Sequence, residues 1–272
     1  MVSNIAKPPK SLCYIGSLPQ DRLPTIAVVG TRKPTHYGIE VTNRLVGEIA
    51  RHGIVIVSGL ALGVDALAHT AALDAGGMTI AVLANPLPHI QPTTNRSLGE
   101  RIIREGGVIM SEHSSDEAYT VGPWSFLERN RIVAGISDAI LITEASARSG
   151  TLNTAMHALD QGKDVFVVPG NITNPSSEGC NLLLKQGAIP VTCADDILER
   201  ILPAYETTQT TLPLGMTPTE TAIITAIAQG TQDADEIQRS TGIDQRDLST
   251  ALTMLELSGS IRSAGNNHWH LQ

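Results

Sequence analysis

The sequence predicts an α/β fold: a Rossmann-like, mostly parallel sheet with helices on both faces, followed by a small C-terminal winged-helix-like domain. Three observations carry this. From Ile26 onward, short apolar runs alternate with longer amphipathic ones, the signature of βαβ units and a right-handed parallel sheet. Several amphipathic runs stop at a glycine just before the next apolar run, at Gly53, Gly76, Gly106 and Gly162, where a left-handed backbone ends a helix. Aromatic residues make up 3% of the chain while hydrophobic residues make up 42%. The core must therefore be built from Ile, Val, Leu and Ala, the side chains of a parallel sheet covered on both sides.

In chain order, residues 1–25 form an N-terminal extension, and the Rossmann-like domain runs over 26–203. Its predicted strands are Ile26–Val29, Ile54–Val57, Thr79–Leu83, Val108–Met110, Ala139–Thr143, Asp164–Val168 and Ile189–Thr192. The intervening helices are predicted over Tyr37–Arg51, Leu62–Ala75, Asn95–Glu105, Ser125–Gly135, Thr151–Gln161, Gly179–Lys185 and Ala194–Leu202. Residues 204–216 are polar, Thr-rich and edged by prolines, and read as a linker. Within 217–272, three helices over Pro218–Gln229, Asp233–Ser240 and Gln245–Ser258 precede a hairpin over Ser260–Leu271 that turns at Gly265-Asn266-Asn267. Three helices and a hairpin make a winged-helix-like arrangement.

Composition narrows the function. A formal net charge of -8, from 19 Lys+Arg against 27 Asp+Glu, argues against coating duplex DNA or a membrane by bulk charge, so a polyanion must be held in a local pocket. The three cysteines, Cys13, Cys180 and Cys193, show no paired spacing, which supports neither a zinc site nor a disulfide framework and fits a reducing cytoplasm. No run approaches the roughly 20 apolar residues that span a bilayer, and the N-terminus lacks a signal-peptide core.

Four segments could carry chemistry. Val29-Gly30-Thr31-Arg32 ends the first strand and leads into a helix. Ligands of open α/β sheets collect at such ends, helix N-termini offer N–H groups to anions, and an arginine adds a charged fork. A tight structural turn is the alternative. Ser58-Gly59-Leu60-Ala61 ends the second strand, and beyond it Asp65 and His69 share one helix face at i and i+4. Such a pair more often orients a loop by hydrogen bonding than performs catalysis or binds metal.

The third segment, Trp124-Ser125-Phe126-Leu127-Glu128-Arg129-Asn130-Arg131, combines two arginines with two rings on which nucleobases could stack. Core rings and ion-paired arginines are the alternative. The fourth, Thr143-Glu144-Ala145-Ser146-Ala147-Arg148-Ser149-Gly150-Thr151, puts a hydroxyl, bare backbone and a capping oxygen at a helix N-terminus with Arg148 beside them. It is the best phosphate cradle in the chain.

Taken together, Gly30-Thr31-Arg32, Ser58-Gly59-Leu60-Ala61 with Asp65 and His69, Phe126 with Arg129-Asn130-Arg131, Ser149-Gly150-Thr151 and Val168-Pro169-Gly170 closely resemble the DprA (Smf) family, in order and spacing, from about Pro9 through Leu202. The segment Leu255–Arg262 resembles that family's winged-helix-like domain. The resemblance implies a DNA-processing protein of natural transformation. Such a protein binds and protects incoming single-stranded DNA and helps load the RecA recombinase. It acts as a homodimer in the cytoplasm, with no membrane contact, no cofactor and no turnover chemistry. The implied DNA-binding residues are Gly30, Thr31, Arg32, Ser58, Gly59, Asn95, Phe126, Arg129, Asn130, Arg131, Arg148, Ser149, Gly150 and Thr151, with Asp65 and His69 orienting them.

The sequence departs from the family pattern at several places. Ser146 stands where members commonly carry a lysine, leaving Arg148 as the nearest substitute. Asn85 replaces a glycine, Gln91-Pro92 replaces Tyr-Pro, and Leu127 replaces a proline before Arg129. The small helical domain that opens many members is not expected in the roughly 25 residues before the first strand. The tail is acidic: after Ile201, Arg239, Arg246 and Arg262 face eight carboxylates. It reads as a protein-contact or accessory module rather than a duplex reader.

Three rival readings fit less well. A nucleotide-cleaving phosphoribohydrolase of the lysine-decarboxylase-like (LOG) class uses Gly-Thr-x-x-Glu, and here the position three after Thr151 is Thr154. A dinucleotide oxidoreductase needs G-x-G-x-x-G, which Gly30-Thr31-Arg32-Lys33-Pro34 lacks. A serine hydrolase needs a G-x-S-x-G elbow, and none occurs.

Overall fold

The computed structural model describes residues 5, 7–114, 119–202, 205, 217–265 and 267–271, and divides into two units, Met1–Glu206 and Thr207–Gln272. In the first unit, β1 (Cys13–Gly16) precedes β2 (Thr25–Val29), α1 (His36–Arg51), β3 (Val55–Ser58), α2 (Val64–Asp74), β4 (Thr79–Leu83), α3 (Arg96–Arg104) and β5 (Val108–Ser111). The chain continues through α4 (Pro123–Ile136), β6 (Ala139–Ile142), α5 (Thr151–Asp160), β7 (Asp164–Val167), α6 (Glu178–Lys185), β8 (Ile189–Pro190) and α7 (Asp195–Ile201).

The eight strands form one sheet in the order β1-β5-β4-β3-β2-β6-β7-β8. Every pairing is parallel except that of β1 with β5, where Cys13 faces Ser111 and Gly16 faces Val108. The sequence missed β1. It is a four-residue edge strand whose side chains alternate between half-buried and exposed, so it lacks the continuous apolar run that marks the central strands. The predicted last strand is shorter than expected: pairing stops at Pro190, and the Thr192 N–H turns to the Asp196 carboxylate at 2.7 Å.

Strand periodicity decides which helix covers which face. In β2, Ile26 and Val28 pack on one side with Leu45, Val46 and Ile49 of α1, while Ala27 and Val29 point to the other with Ile132 and Val133 of α4. Successive residues of β3 divide likewise, Ile56 toward α1 and Val55 and Val57 toward α4, as a two-residue repeat requires. Phe166 of β7 is fully buried among these aliphatic residues. The four predicted glycine stops all have positive φ: Gly53 at 78°, Gly76 at 75°, Gly106 at 87° and Gly162 at 66°.

The strand order creates the place for a ligand. From β2 the chain steps outward through β3, β4 and β5, then α4 carries it back to β6 on the other side of β2. The loops leaving β2 and β6 therefore diverge and open a crevice at the carboxyl ends of these strands.

The second unit holds α8 (Pro218–Ala228), α9 (Ala234–Thr241), α10 (Gln245–Leu257) and the hairpin of β9 (Ile261–Gly265) and β10 (His268–Leu271). Ile223, Ile227, Ile237, Leu252 and Leu255 form its core. Its acidic residues have structural work. Thr217 and Glu220 form a reciprocal capping box on α8, Asp233 accepts from two N–H groups of α9, and Asp244 caps α10. Asn266 of the expected turn lies outside the described residues, as does the expected linker apart from Tyr205.

His69 of α2 ties that helix to the sheet. Its Nδ1 meets Thr79 Oγ1 at 2.7 Å, and since the same hydroxyl donates to the Ile56 carbonyl at 2.7 Å, the imidazole is the donor. Burial, with the nearby Arg129 charge, lowers its pKa from 6.5 to about 3. The unfolded chain thus takes up a proton that the folded one refuses, and stability is lost as pH falls below the unfolded value toward the folded one. Between about pH 6.5 and pH 4, His69→Gln is expected to flatten the slope of unfolding free energy against pH by up to ~1.4 kcal/mol per unit. Urea melts across that range check it.

Candidate functional site

The loop leaving β2 is pressed against its neighbours. A Cβ on Gly30 would lie 2.6 Å from Val64 Cγ2 and 2.9 Å from the Glu144 carbonyl oxygen, so only glycine lets the chain through. Thr31 N–H donates to the Glu144 carbonyl at 2.8 Å, and the Thr31 carbonyl accepts from Val64 N–H at 3.1 Å. Arg32 follows with its side chain exposed.

The N-terminus of α1, expected to be open to an anion, is already occupied. The buried Glu144 carboxylate accepts from Thr35 N–H at 2.8 Å and from Thr35 Oγ1 at 2.7 Å, while Thr35 Oγ1 accepts from Gly38 N–H. An internal carboxylate thus takes the place a phosphate holds in a dinucleotide-binding turn. Sequence reasoning gave Glu144 no role. Its one signal is an acidic residue two positions after the apolar run Ala139–Ile142.

The loop leaving β3 is clamped from three sides. Asp65 Oδ2 accepts from Gly59 N–H at 3.1 Å and Ala61 N–H at 3.4 Å. Asn95 Nδ2 donates to the Leu60 and Ala61 carbonyls at 2.9 and 3.1 Å. Arg129 Nη1 donates to the Gly59 carbonyl at 2.7 Å and to the Val82 carbonyl. Together these hold Leu60, fully buried, at φ 56°, a left-handed conformation that costs a branched side chain free energy.

Burial pushes the Asp65 carboxyl up, opposed by Arg129 and the two N–H groups. It pushes the Arg129 guanidinium down, opposed by Asp65 and reinforced by the second cation, Arg32. Ser58 is buried, its hydroxyl donating to the Val28 carbonyl at 2.6 Å.

These loops and the start of α5 enclose a cavity of about 210 Å³ lined by Gly30, Thr31, Arg32, Asp65, Phe126, Arg129, Asn130, Ser149, Gly150 and Thr151 among others. A second lobe of about 140 Å³ is lined by Gly59, Leu62, Ala84, Asn85, Gln91 and Pro92 and shares Arg32, Ala61, Phe126 and Arg129 with the first. Between the lobes the Arg32 guanidinium lies over the Phe126 ring, 5.3 Å from its centroid, a cation–π contact. At the α5 end, Thr151 N–H donates to Ser149 Oγ at 3.1 Å, and Ser149 Oγ donates to Thr151 Oγ1 at 2.8 Å. A larger hollow of about 690 Å³ lies in the second unit, but threonine, alanine and other uncharged residues line it. Charge and polar backbone converge in the strand-end cleft.

The structure separates some residues the sequence grouped. Arg131 does not line the cleft: it is buried in an ion pair with Glu112. Two residues along a helix is a turn of about 200°, which sends Arg129 and Arg131 to opposite sides. Arg148 is exposed on the loop and lines neither lobe. Ser58 and Asn95 hold loop backbone rather than face the cavities. Asp65 orients the loop, whereas His69 bonds to β4. Of the four arginines expected in one pocket, Arg32 and Arg129 are there, and Arg129 is committed to two carbonyls. Among the described residues, Arg32 pairs with no carboxylate. No group of three His, Cys, Asp or Glu among them could hold a metal.

Fold and cleft define a class: a doubly wound α/β protein with an arginine-lined crevice at its strand ends and a winged-helix module. The family model described as DNA recombination-mediator protein A matches residues 1–202, and the DprA winged helix domain matches residues 206–267. The chain belongs to the DprA (Smf) family of DNA-processing proteins. It is 42% identical over 176 residues to the DNA processing protein DprA of Bacillus subtilis, a match covering 65% of this chain and 58% of the relative. It is 46% identical over 179 residues to Protein Smf of Escherichia coli, covering 65% and 46%. These matches span about half the length of those relatives.

Among solved structures, DNA processing protein A from Streptococcus pneumoniae superposes with a TM-score of 0.68 at 37% identity, over 74% of this chain and 69% of that one. The Helicobacter pylori protein, described for its single-stranded DNA binding mode, superposes with a TM-score of 0.66 at 35% identity, over 75% and 92%. No helix among the described residues is long and apolar enough to cross a membrane.

The clamp yields a stability prediction. A Cβ on Gly59 would lie 2.2 Å from Arg129 Nη1, and the guanidinium cannot give way without dropping the carbonyls it holds. Gly59→Ala is expected to cost about 1–3 kcal/mol, read as a lower urea midpoint with an unchanged slope.

Proposed function

We propose that this chain binds single-stranded DNA in the strand-end cleft, protects it, and helps load a RecA-type recombinase onto it, acting as a homodimer and without turnover chemistry. The observation that carries the reading is the exposed Arg32 guanidinium over the Phe126 ring, opposite Ser149, Gly150 and Thr151 at the start of α5. A phosphate would find a cation beside the positive end of a helix there, and a base would find the guanidinium plane backed by the ring. A single strand presents both at once, whereas a duplex hides its base faces.

The similarity to the H. pylori protein, whose structure is described for single-stranded DNA binding, supports the same ligand. Membership of a family described as recombination mediators supports the mediator role. The net charge of -8 concentrates affinity in the cleft. The second unit has its acidic residues partly engaged as helix caps and fits a protein-contact role better than a duplex-reading one.

The phosphoribohydrolase reading finds no carboxylate to act: Thr154 is buried, and Asp65, which also lines the cleft, accepts from two backbone N–H groups. A titration of single-stranded DNA, duplex DNA and nucleoside monophosphates, with an assay for released base, separates the two. Preference for the single strand without base release is expected, and base release would overturn the mediator reading. Arg32→Ala is expected to weaken single-strand binding about tenfold and to lower the slope of log affinity against log salt by about 0.7, one phosphate's worth of counterion. Unchanged affinity in an anisotropy titration would remove Arg32 from the site.

A further inference from the structure

The chain contains two Trp, four Tyr and two Phe, and three of these rings fall within eight residues, at Tyr119, Trp124 and Phe126. Phe126 belongs to the cleft. The other two do not pack into the aliphatic core. Trp124, at the start of α4, is 54% exposed, and its indole leans on Gly122, where a Cβ would lie 2.8 Å from Nε1. The Tyr119 ring meets the indole edge-on at 5.7 Å and 70°. On Tyr119 the imidazole of His113 is stacked at 3.5 Å and 20°. Three consecutive rings thus form a short shelf with an open end at Trp124.

The hollow beside the shelf shares a wall with the cleft. Ala84 and Arg129 line the second lobe of about 140 Å³, and the same two residues line the small hollow bounded by His113 and Tyr119. Among the described residues that line that hollow, Glu128 is acidic, Glu112 is paired with Arg131, and Arg129 is committed to the Gly59 and Val82 carbonyls. A phosphate backbone is turned away there, while a neutral ring face is not. The position therefore suits bases better than phosphates, whereas the Arg32 end offers a cation to a phosphate.

We infer that His113, Tyr119 and Trp124 form a second subsite, a stacking shelf for one or two nucleobases flanking the segment held in the cleft. The inference rests on the proposed binding of a single strand. Stacking on a ring tolerates any base, so the shelf adds length-dependent affinity without sequence preference.

The test uses the full chain and oligothymidylates of about 4 and about 16 nucleotides, the range of strand-binding sites. In a Trp269→Phe background the remaining tryptophan is Trp124, and its emission is expected to be quenched when the longer strand saturates the protein. Trp124→Ala is expected to weaken binding of the longer strand about tenfold, with a smaller effect on the shorter one, and Trp124→Phe is expected to restore most of the loss. A longer strand made abasic outside a central segment of about 4 nucleotides is expected to bind the unsubstituted protein about tenfold more weakly and Trp124→Ala no more weakly than the intact strand. The first arm of that comparison uses the unsubstituted protein, so loss there cannot come from misfolding.

If Trp124→Ala and Tyr119→Ala bind the longer strand as the unsubstituted chain does, and emission does not change at saturation, the shelf is wrong. Loss of affinity in Arg32→Ala would then leave the cleft standing. The converse pattern, loss in Trp124→Ala but none in Arg32→Ala, would remove the cleft and keep the shelf. Absence of any single-strand binding would remove both.

Discussion

The site depends on one buried cation. Arg129 sits inside the domain with its guanidinium bonded to the carbonyls of Gly59, just past β3, and Val82, near the end of the neighbouring β4. Desolvating a charge this fully is costly unless hydrogen bonds and an opposite charge replace water. Here two carbonyls accept from it, Asn130 Oδ1 accepts from its Nε at 3.3 Å, and Asp65 supplies the negative charge. Asp65 in turn gathers the Gly59 and Ala61 N–H groups. One loop thus has its carbonyls and its N–H groups pinned by opposite charges, and it carries the left-handed Leu60 because it has no room to relax. Removing either partner strands the other without solvent, so loop and strand ends stand or fall together.

A second constraint decides where an anion can enter. Rossmann-like sheets ordinarily receive phosphate at the helix following their first strand. In this protein Glu144, buried beneath that helix, has the Thr35 N–H and hydroxyl, and its carbonyl holds the loop through Thr31. The carboxylate fixes the loop that displays Arg32 and closes the usual seat. The N-terminus of α5 borders the cavity across the crevice, with its Thr151 N–H donating to Ser149 Oγ.

Much of the fold was legible in the residues. The central strands are uninterrupted apolar runs, and the helices end where glycine turns left-handed, so both could be placed within a residue or two. The edge strand β1 was not, because Cys13–Gly16 is stabilised by its pairing with β5 and not by a pattern of its own. At the site, loop positions were legible because the bare backbone of Gly30, Gly59 and Gly150 stands at strand ends. The allocation of side chains was not. Arg129 and Arg131 are indistinguishable as letters, yet helical geometry gives one to the loop clamp and the other to Glu112. Asn95 and Glu144 bond to backbone far away in sequence, at Leu60 and Thr35. Such tertiary contacts leave no periodicity behind.

The spending of Arg129 and Arg131 on internal partners has a kinetic consequence. On the proposed reading, a cleft whose uncommitted cation is Arg32 would grip each phosphate weakly, and ring faces that take any base would add hold without registering the strand. Contacts of that kind break one at a time, so a bound strand would creep through the cleft and exchange quickly, with short residence per protomer. For the mediator proposed here, a loose grip is what allows a strand to be surrendered to the next protein. A ring of four free arginines would have made the same fold a trap.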